Sequence, residues 1–538
     1  MPIESRYDAV IIGGGHNGLV CACYLAGAGL KVRLIERHTD VGGAAITEEF
    51  YPGFRNSVAA YTVSLLHPQV IADLNLAAHG LRIVERPLSN FLPLADRQFL
   101  KVGPTLAHTQ AEVARFSKRD AERLPQYYAA LERVADVVRG MLLETPPNIG
   151  GGLTDVMSAL KLTQRMKRID MAARREVLDF FTKSAGDVLD SWFESDPIKA
   201  AFGFDAIVGH FASPYAPGSA YVLLHHVIGE VNGKRGAWGH AIGGMGAITQ
   251  AMRKEAEHRG VEITTHCEVV QVCTDLRGVQ GVQLADGRII ESRRVVSGIN
   301  PKLLYTQLLP KHALDEDFLH AIRNYRCASG TFRMNVALNE LPNFSCLPGL
   351  QTQDHHQSGI IIAPSLKYME HAYFDARQYG CARKPVIEIL IPSTVDSSLA
   401  PPGKHVASLF CQHFSPQLPN DLDWKKIREP AADMVIATVS QYAPNFRSSV
   451  LGRMILSPLD LEQRFGLVGG DIFHGALTLD QLWSARPLLG YGAYRGPIKG
   501  LYMCSAGTHP GGGVSGAPGH NAAREIVRDL KRRRHARA

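Results

Sequence analysis

The 538-residue chain lacks any apolar run approaching the roughly 20 residues needed to cross a bilayer. It also lacks the apolar core of a secretory signal and an Arg-rich, acid-poor presequence, because a strand-like run begins within ten residues. The expectation is a cytoplasmic protein with no signal peptide or transmembrane helix. Cysteine is sparse and scattered: among nine, the closest pair is Cys21 and Cys23, spaced C-x-C. Without C-x-x-C no redox disulfide is expected, and free, mostly buried thiols fit a reducing compartment. The pairs His225-His226 and His355-His356 are adjacent, so neither can converge on one ion from a regular strand or helix; no metal site is expected. Net charge is +7, an excess too diffuse for a nucleic-acid surface, and no aromatic-basic interleaving marks one. The excess suits an anionic cofactor or a membrane face instead. Repeats and low-complexity tracts are absent, and the length accommodates a large core, most simply in two domains.

What is present begins at Tyr7. The run Val10-Ile11-Ile12 reads as a buried parallel strand and breaks into Gly13, Gly15 and Gly18, spaced G-x-G-x-x-G. Leu19 to Ala28 reads as a helix and Val32 to Glu36 as a second strand, the context a dinucleotide fingerprint demands. Gly13 permits the tight turn, Gly15 lets backbone approach a pyrophosphate, and Gly18 lets helix and strand pack closely. The helix N-terminus offers free N–H groups to phosphates. Glu36 ends the second strand, placed to accept from a ribose hydroxyl. A glycine-rich structural turn is the alternative reading.

A second glycine pair follows in Glu36-Arg37-His38-Thr39-Asp40-Val41-Gly42-Gly43-Ala44. Here the chain resembles the FAD-binding phytoene desaturase and amine oxidase superfamily, in its phytoene dehydrogenase-like branch. The resemblance implies FAD and an α/β fold: a Rossmann-type FAD domain of discontinuous segments with an inserted α+β substrate domain. It implies cofactor contacts at Gly13, Gly15, His16, Asn17, Gly18, Glu36, Arg37, Gly42, Gly43 and Ala44. Ala44 stands where the family often has arginine, so a contact through that side chain is missing. Arg55 and Ser57 are further contacts or plain loop residues.

Residues Ala111 to Met141 show helical spacing, as do Thr154 to Leu178, where Lys161, Arg165, Lys167, Arg168, Arg174 and Arg175 interleave with Leu160, Met166, Ile169 and Met171. That second stretch is either a solvated face or a basic amphipathic helix suited to an anionic membrane. Gly243-Gly244-Met245-Gly246 precedes a helix but follows no clear strand, so a second nucleotide site is not expected. Strands are expected at 261–263, 268–272, 281–284 and 295–298, and Val269 matches the residue whose backbone meets the adenine in the resembling family. Further strands at 331–338, 359–363, 386–391 and 405–411 suggest an antiparallel substrate sheet, followed by a helix over 424–443.

The terminal motif, Gly507-Thr508-His509-Pro510-Gly511-Gly512-Gly513 through Gly516, joins a strand to a helix running to Leu530. In the resembling family it brings a helix N-terminus under the flavin, implying contacts at Gly507, Gly513 and Gly516. His509 is the candidate catalytic group, or else a structural hydrogen-bond partner. Arg486-Pro487 either faces the substrate or serves the core. The segments 1–80, 236–300 and 490–530 are assigned to the FAD domain, 81–235 and 301–489 to the substrate domain, and 531–538 to a basic tail. The expected activity is FAD-dependent removal of hydride from a lipophilic small molecule, with oxygen or a quinone as acceptor and peripheral membrane contact. A carotenoid ketolase, an amine oxidase and a low-turnover flavin-bound regulator are the alternatives.

Overall fold

The structure, a computed structural model, describes residues 3–148 and 151–535. The apolar runs assemble into a five-stranded sheet in the order Glu262–Thr264, Val32–Ile35, Ala9–Ile12, Val295–Ser297, Leu501–Met503, parallel throughout. Alternation along Ala9–Ile12 decides both faces: Ala9 and Ile11 join the core beneath three helices, Val10 and Ile12 the core beneath a second sheet. The helices are His16–Gly27, Gly246–His258 and Ala517–His535, with the first in contact with both others. The second sheet runs Ile3–Tyr7, Ile289–Ser292, Gly278–Leu284, Val269–Asp275. Two glycines allow the tight helix packing. A Cβ at Gly18 would overlap the Gly13 carbonyl oxygen, and one at Gly519 would overlap that of Asn17.

The remainder is built on a seven-stranded sheet: Val450–Leu456, Thr331–Leu338, His405–Phe414, Cys381–Leu390, Gly359–Ile362, Asn90–Pro93, Phe99–Val102. It is antiparallel except where Gly359–Ile362 meets Asn90–Pro93. The strands at 90–93, 99–102 and 450–456 escape the sequence reading; the first two have four residues each, too few for a periodic signal. Helix Trp424–Tyr442 packs on one face. The other face meets the helical region between 106 and 227, with Phe410 and Val386 in the shared core. Asn56 and Asn335 stitch this unit to the cofactor domain: Asn56 Nδ2 donates to Asn335 Oδ1 at 2.9 Å and Asn335 Nδ2 to the Ser57 carbonyl at 2.8 Å.

Three expectations need correction. The run 111–141 is two helices, Leu106–Ala114 and Lys118–Arg139, broken where Ser117 Oγ caps Asp120 N at 3.1 Å. The run 154–178 likewise splits into Leu153–Arg168 and Met171–Thr182, where Asp170 Oδ1 caps Ala173 N at 2.8 Å. The glycines at 243–246 do follow a strand, Gly239–Ala241. It pairs with Ile83–Glu85 outside the parallel sheet, and Gly244 and Gly246 abut Thr47 rather than a ligand space.

Arg486 serves the core. Fully buried, it donates from Nε and Nη2 to Ala506 O (3.1 and 2.8 Å), from Nη1 to Ala476 O and Gln481 O (3.3 and 3.1 Å), and from Nη2 to Phe473 O and Gly475 O (2.7 and 3.2 Å). One planar fork thus ties the 473–481 loop to the strand end at Ala506. Arg486→Met strands those carbonyls without donors and is expected to lower unfolding free energy by more than about 3 kcal/mol. Arg486→Lys, keeping the charge but not the fork, should fall between; denaturant titration of the three proteins checks the order.

Candidate cofactor and substrate site

The two glycine loops near the N-terminus lie edge to edge. Gly13 turns the chain at φ 95°, its N–H donating to Ile35 O at 2.8 Å. Gly42 N donates to Gly14 O at 2.9 Å, and Gly15 and Gly42 form an isolated parallel bridge. Gly42 and Gly43 have φ of 136° and 57°, conformations L side chains rarely hold. The buried Glu36 carboxylate accepts from Gly14 N at 2.7 Å and His38 N at 2.9 Å, which fixes it at the end of its strand.

A cavity enclosing about 1880 Å³, its open mouth included, runs along these loops. Of the residues singled out in the sequence, Gly13, Gly15, His16, Asn17, Glu36, Arg37, Gly42, Gly43, Ala44, Val269 and Gly513 line it. Arg37 is exposed and also donates to Arg464 O at 3.2 Å. Nothing lies within 4 Å of where a Gly15 Cβ would project. His16 Nε2 and Asn17 Oδ1 are buried without partners.

Other singled-out residues do not line it. Gly18 serves helix packing, as described. A Gly507 Cβ would sit 2.5 Å from Pro301 Cδ, and a Gly516 Cβ 3.0 Å from Val70 Cγ1, so both glycines answer to neighbouring packing. Arg55 is exposed, and Ser57 Oγ accepts from Met245 N at 2.9 Å. His509, the expected catalytic group, is absent from the wall. Its Nε2 bonds Met141 O at 3.0 Å, its ring packs edge-on to Trp483 at 4.5 Å, and burial lowers it to about 4. In this structure its contacts are those of a hydrogen-bond and packing partner.

At its far end the cavity passes Ala59 to Leu65 and opens against Val208, Trp238, Phe410, Ile472 and Phe473. Behind Tyr61 lies a polar layer that the sequence reading missed. Tyr61 OH donates to Glu388 Oε2 at 2.5 Å, and Arg86 Nη1 lies 3.4 Å from Glu388 Oε1 and donates from Nη2 to Thr62 Oγ1 at 2.6 Å. The Arg333 guanidinium sits 4.5 Å from the Tyr61 ring centroid, donating to Leu409 O and Ser408 Oγ at 2.8 Å each. Burial lowers Arg333 to about 10, and burial followed by the Glu388 charge raises Asp205 to about 8. A charged residue inside the wholly buried strand Thr331–Leu338 was the one visible sign of this layer.

Comparison with known proteins gives the family. Residues 18–332 match the flavin containing amine oxidoreductases. The chain belongs to that family. It is 40% identical, over 98% of its length and 94% of the relative's, to pyridine nucleotide-disulfide oxidoreductase domain-containing protein 2 of Rattus norvegicus. It is 25% identical to the lycopene-forming phytoene desaturase of Pantoea ananas, covering 95% of this chain and 96% of that one. An oxidoreductase from Methanosarcina mazei shares the fold at TM-score 0.61 and 16% identity, over 97% and 99% of the two chains.

This flavoenzyme is therefore an FAD-dependent oxidoreductase, and its cleft fits the cofactor: an open face at Gly15, a buried acid at Glu36, and unpartnered polar atoms on His16 and Asn17. Bound there, FAD would supply two-electron redox chemistry that no side chain of the site provides. Gly13 to Asn17 with Gly42 and Gly43 would hold its diphosphate, and Glu36 and Val269 its adenosine end. Gly15→Val should fold, because the new side chain enters open space, yet obstruct the cofactor. The expected result is at least a tenfold drop in flavin-to-protein ratio with an unchanged circular dichroism spectrum.

Proposed function

We propose that the enzyme oxidises a C–H bond of a lipophilic substrate, of isoprenoid or other alkyl or alkenyl type. The observation that carries this reading is the apolar chamber of Leu65, Val208, Trp238, Phe410, Ile472 and Phe473, continuous with the cofactor cleft. Such walls bind by excluding water, at roughly 25 cal/mol per Å² of apolar surface covered. Held by the glycine loops, FAD would supply the hydride acceptor. The chain's own residues orient the substrate, keep water out and, through the glycine loops, surround the cofactor with N–H donors. Glu388, the carboxylate behind the Tyr61 wall, is already engaged by Tyr61 and Arg86 and is not free to seat an ammonium. The name of the Pantoea relative, a desaturase forming the hydrocarbon lycopene, supports the same reading. Oxygen or a quinone would serve as acceptor.

Anaerobic mixing of the holoenzyme with terpenoid hydrocarbons should bleach the flavin, and primary amines should not; bleaching by amines alone would overturn the proposal. Ile472→Asp, placing a carboxylate in the chamber, should retain FAD but slow that bleaching at least tenfold.

Collection of such a substrate from a bilayer is the second part of the reading. Among the described residues no helix is long and apolar enough to cross a membrane. The consecutive helices Leu153–Arg168 and Met171–Thr182, however, expose Val156, Met157, Leu160, Met171 and Leu178 by 52% to 61%. Lys161, Lys167, Arg168 and Arg175 are exposed on the same two helices, as are Lys531 and Arg532 of the tail; residues 536–538 lie outside the described residues. Exposed basic residues contribute roughly 1 kcal/mol each near an anionic leaflet. The full chain should co-sediment with anionic vesicles at low salt, and the doubly substituted Met157→Glu, Leu160→Glu protein should not. A variant ending at Leu530 should still bind; if it alone fails, the tail and not the helix pair is the anchor.

A further inference from the structure

His474 lines the same cavity as the glycine loop, and nothing in the sequence singled it out. Its backbone lies in the left-handed region at φ 57°, where non-glycine residues are uncommon and persist only when their surroundings fix them. The surroundings do so. His474 N donates to Asp471 O at 3.3 Å, while the Asp471 carboxylate accepts from Phe473 N at 2.8 Å and Ala328 N at 2.7 Å. The turn presents an imidazole whose Nδ1 is buried without a partner. His16, which lines the same cavity, hydrogen-bonds the Gly513 carbonyl and leaves Nε2 buried and unpartnered. Asn17, only 4% exposed, adds an unpartnered Oδ1, and all three residues line the same cavity. Three residues lining one cavity thus each carry a buried polar atom without a protein partner, and a ligand with hydrogen-bonding groups would satisfy them.

We propose that His474 is a cofactor-gripping residue: with His16 it forms an imidazole pair that is neutral without FAD and takes up a proton when the anionic diphosphate enters the cavity. Burial holds His16 at about 4 and His474 at about 3, the latter lowered further by His16 and by Arg486 behind it. Those are deficits of two to four powers of ten from an ordinary histidine. One negative charge about 4 Å away, at an effective dielectric of about 20, restores roughly three, and the diphosphate carries two. One proton is thereby recovered, and its charge opposes a second. Binding raises the imidazole pKa, so FAD is held more tightly as pH falls through the bound-state value and released as pH rises through it.

The test follows FAD release from the holoenzyme by flavin fluorescence after dilution, between pH 5.5 and 8.5, with proton release read by a dye in weak buffer. The wild-type release rate should climb about tenfold across that window, with close to one proton freed per FAD. His474→Gln keeps a hydrogen-bonding side chain that does not titrate, and should flatten the pH profile. His474→Phe should lose FAD at least tenfold faster at pH 6. His16→Gln, made outside the 471–474 turn, should flatten the profile as well and guards against a folding defect in the loop variants. A wild-type rate independent of pH, or a His474→Gln protein retaining the wild-type slope, overturns the proposal.

Discussion

One residue, Gly14, joins the parts of the cofactor cleft. Its N–H donates to the Glu36 carboxylate and its carbonyl accepts from Gly42 N. The first strand, the ribose acid and the second glycine pair are thereby locked in one register. The position tolerates no side chain: a Cβ would lie 2.9 Å from Val41 Cγ1 and 3.2 Å from Glu36 Cβ. Buried backbone groups paired in this way cost little and hold their neighbours stiffly. A preformed cleft of this kind gives the cofactor its orientation without a large ordering cost on binding.

The terminal loop completes that cleft from the other end of the chain, and its geometry is borrowed from packing. Gly516 and Gly519 let the last helix lie against the first, and Gly513 reaches the cavity only because that contact is close. Arg486 adds the other constraint by fastening the 473–481 loop to Ala506. Phe473 and His474 hold their places on the wall through it. A residue with no contact to the cavity thus governs the shape of part of its wall.

The substrate end follows a different economy. Arg333, Glu388 and Arg86 are buried, where charges are costly unless paired. Here they are spent on one another, on Tyr61 and on backbone. The layer supports the chamber wall without presenting a bare charge to its interior, and what faces the substrate space is aromatic and aliphatic. Burial, followed by the Glu388 charge, pushes Asp205 up to about 8 and so disfavours its charged form.

The sequence by itself determined the cofactor cleft, the parallel sheet around it and the family. These rest on backbone conformation and on apolar alternation, and both are written in contiguous residues: Gly13, Gly15, Glu36, Gly42 and Gly43 fall within 31 positions of each other. Some residues of these motifs do not line the cavity. Gly507 and Gly516 meet packing neighbours, and His509 bonds Met141 O. Only the tertiary structure decided the rest of the site. Tyr61 and Glu388 are 327 positions apart, and His16 and His474 line one cavity from distant parts of the chain. No local periodicity encodes such pairs, because only the folded chain brings residues so far apart in sequence to one site.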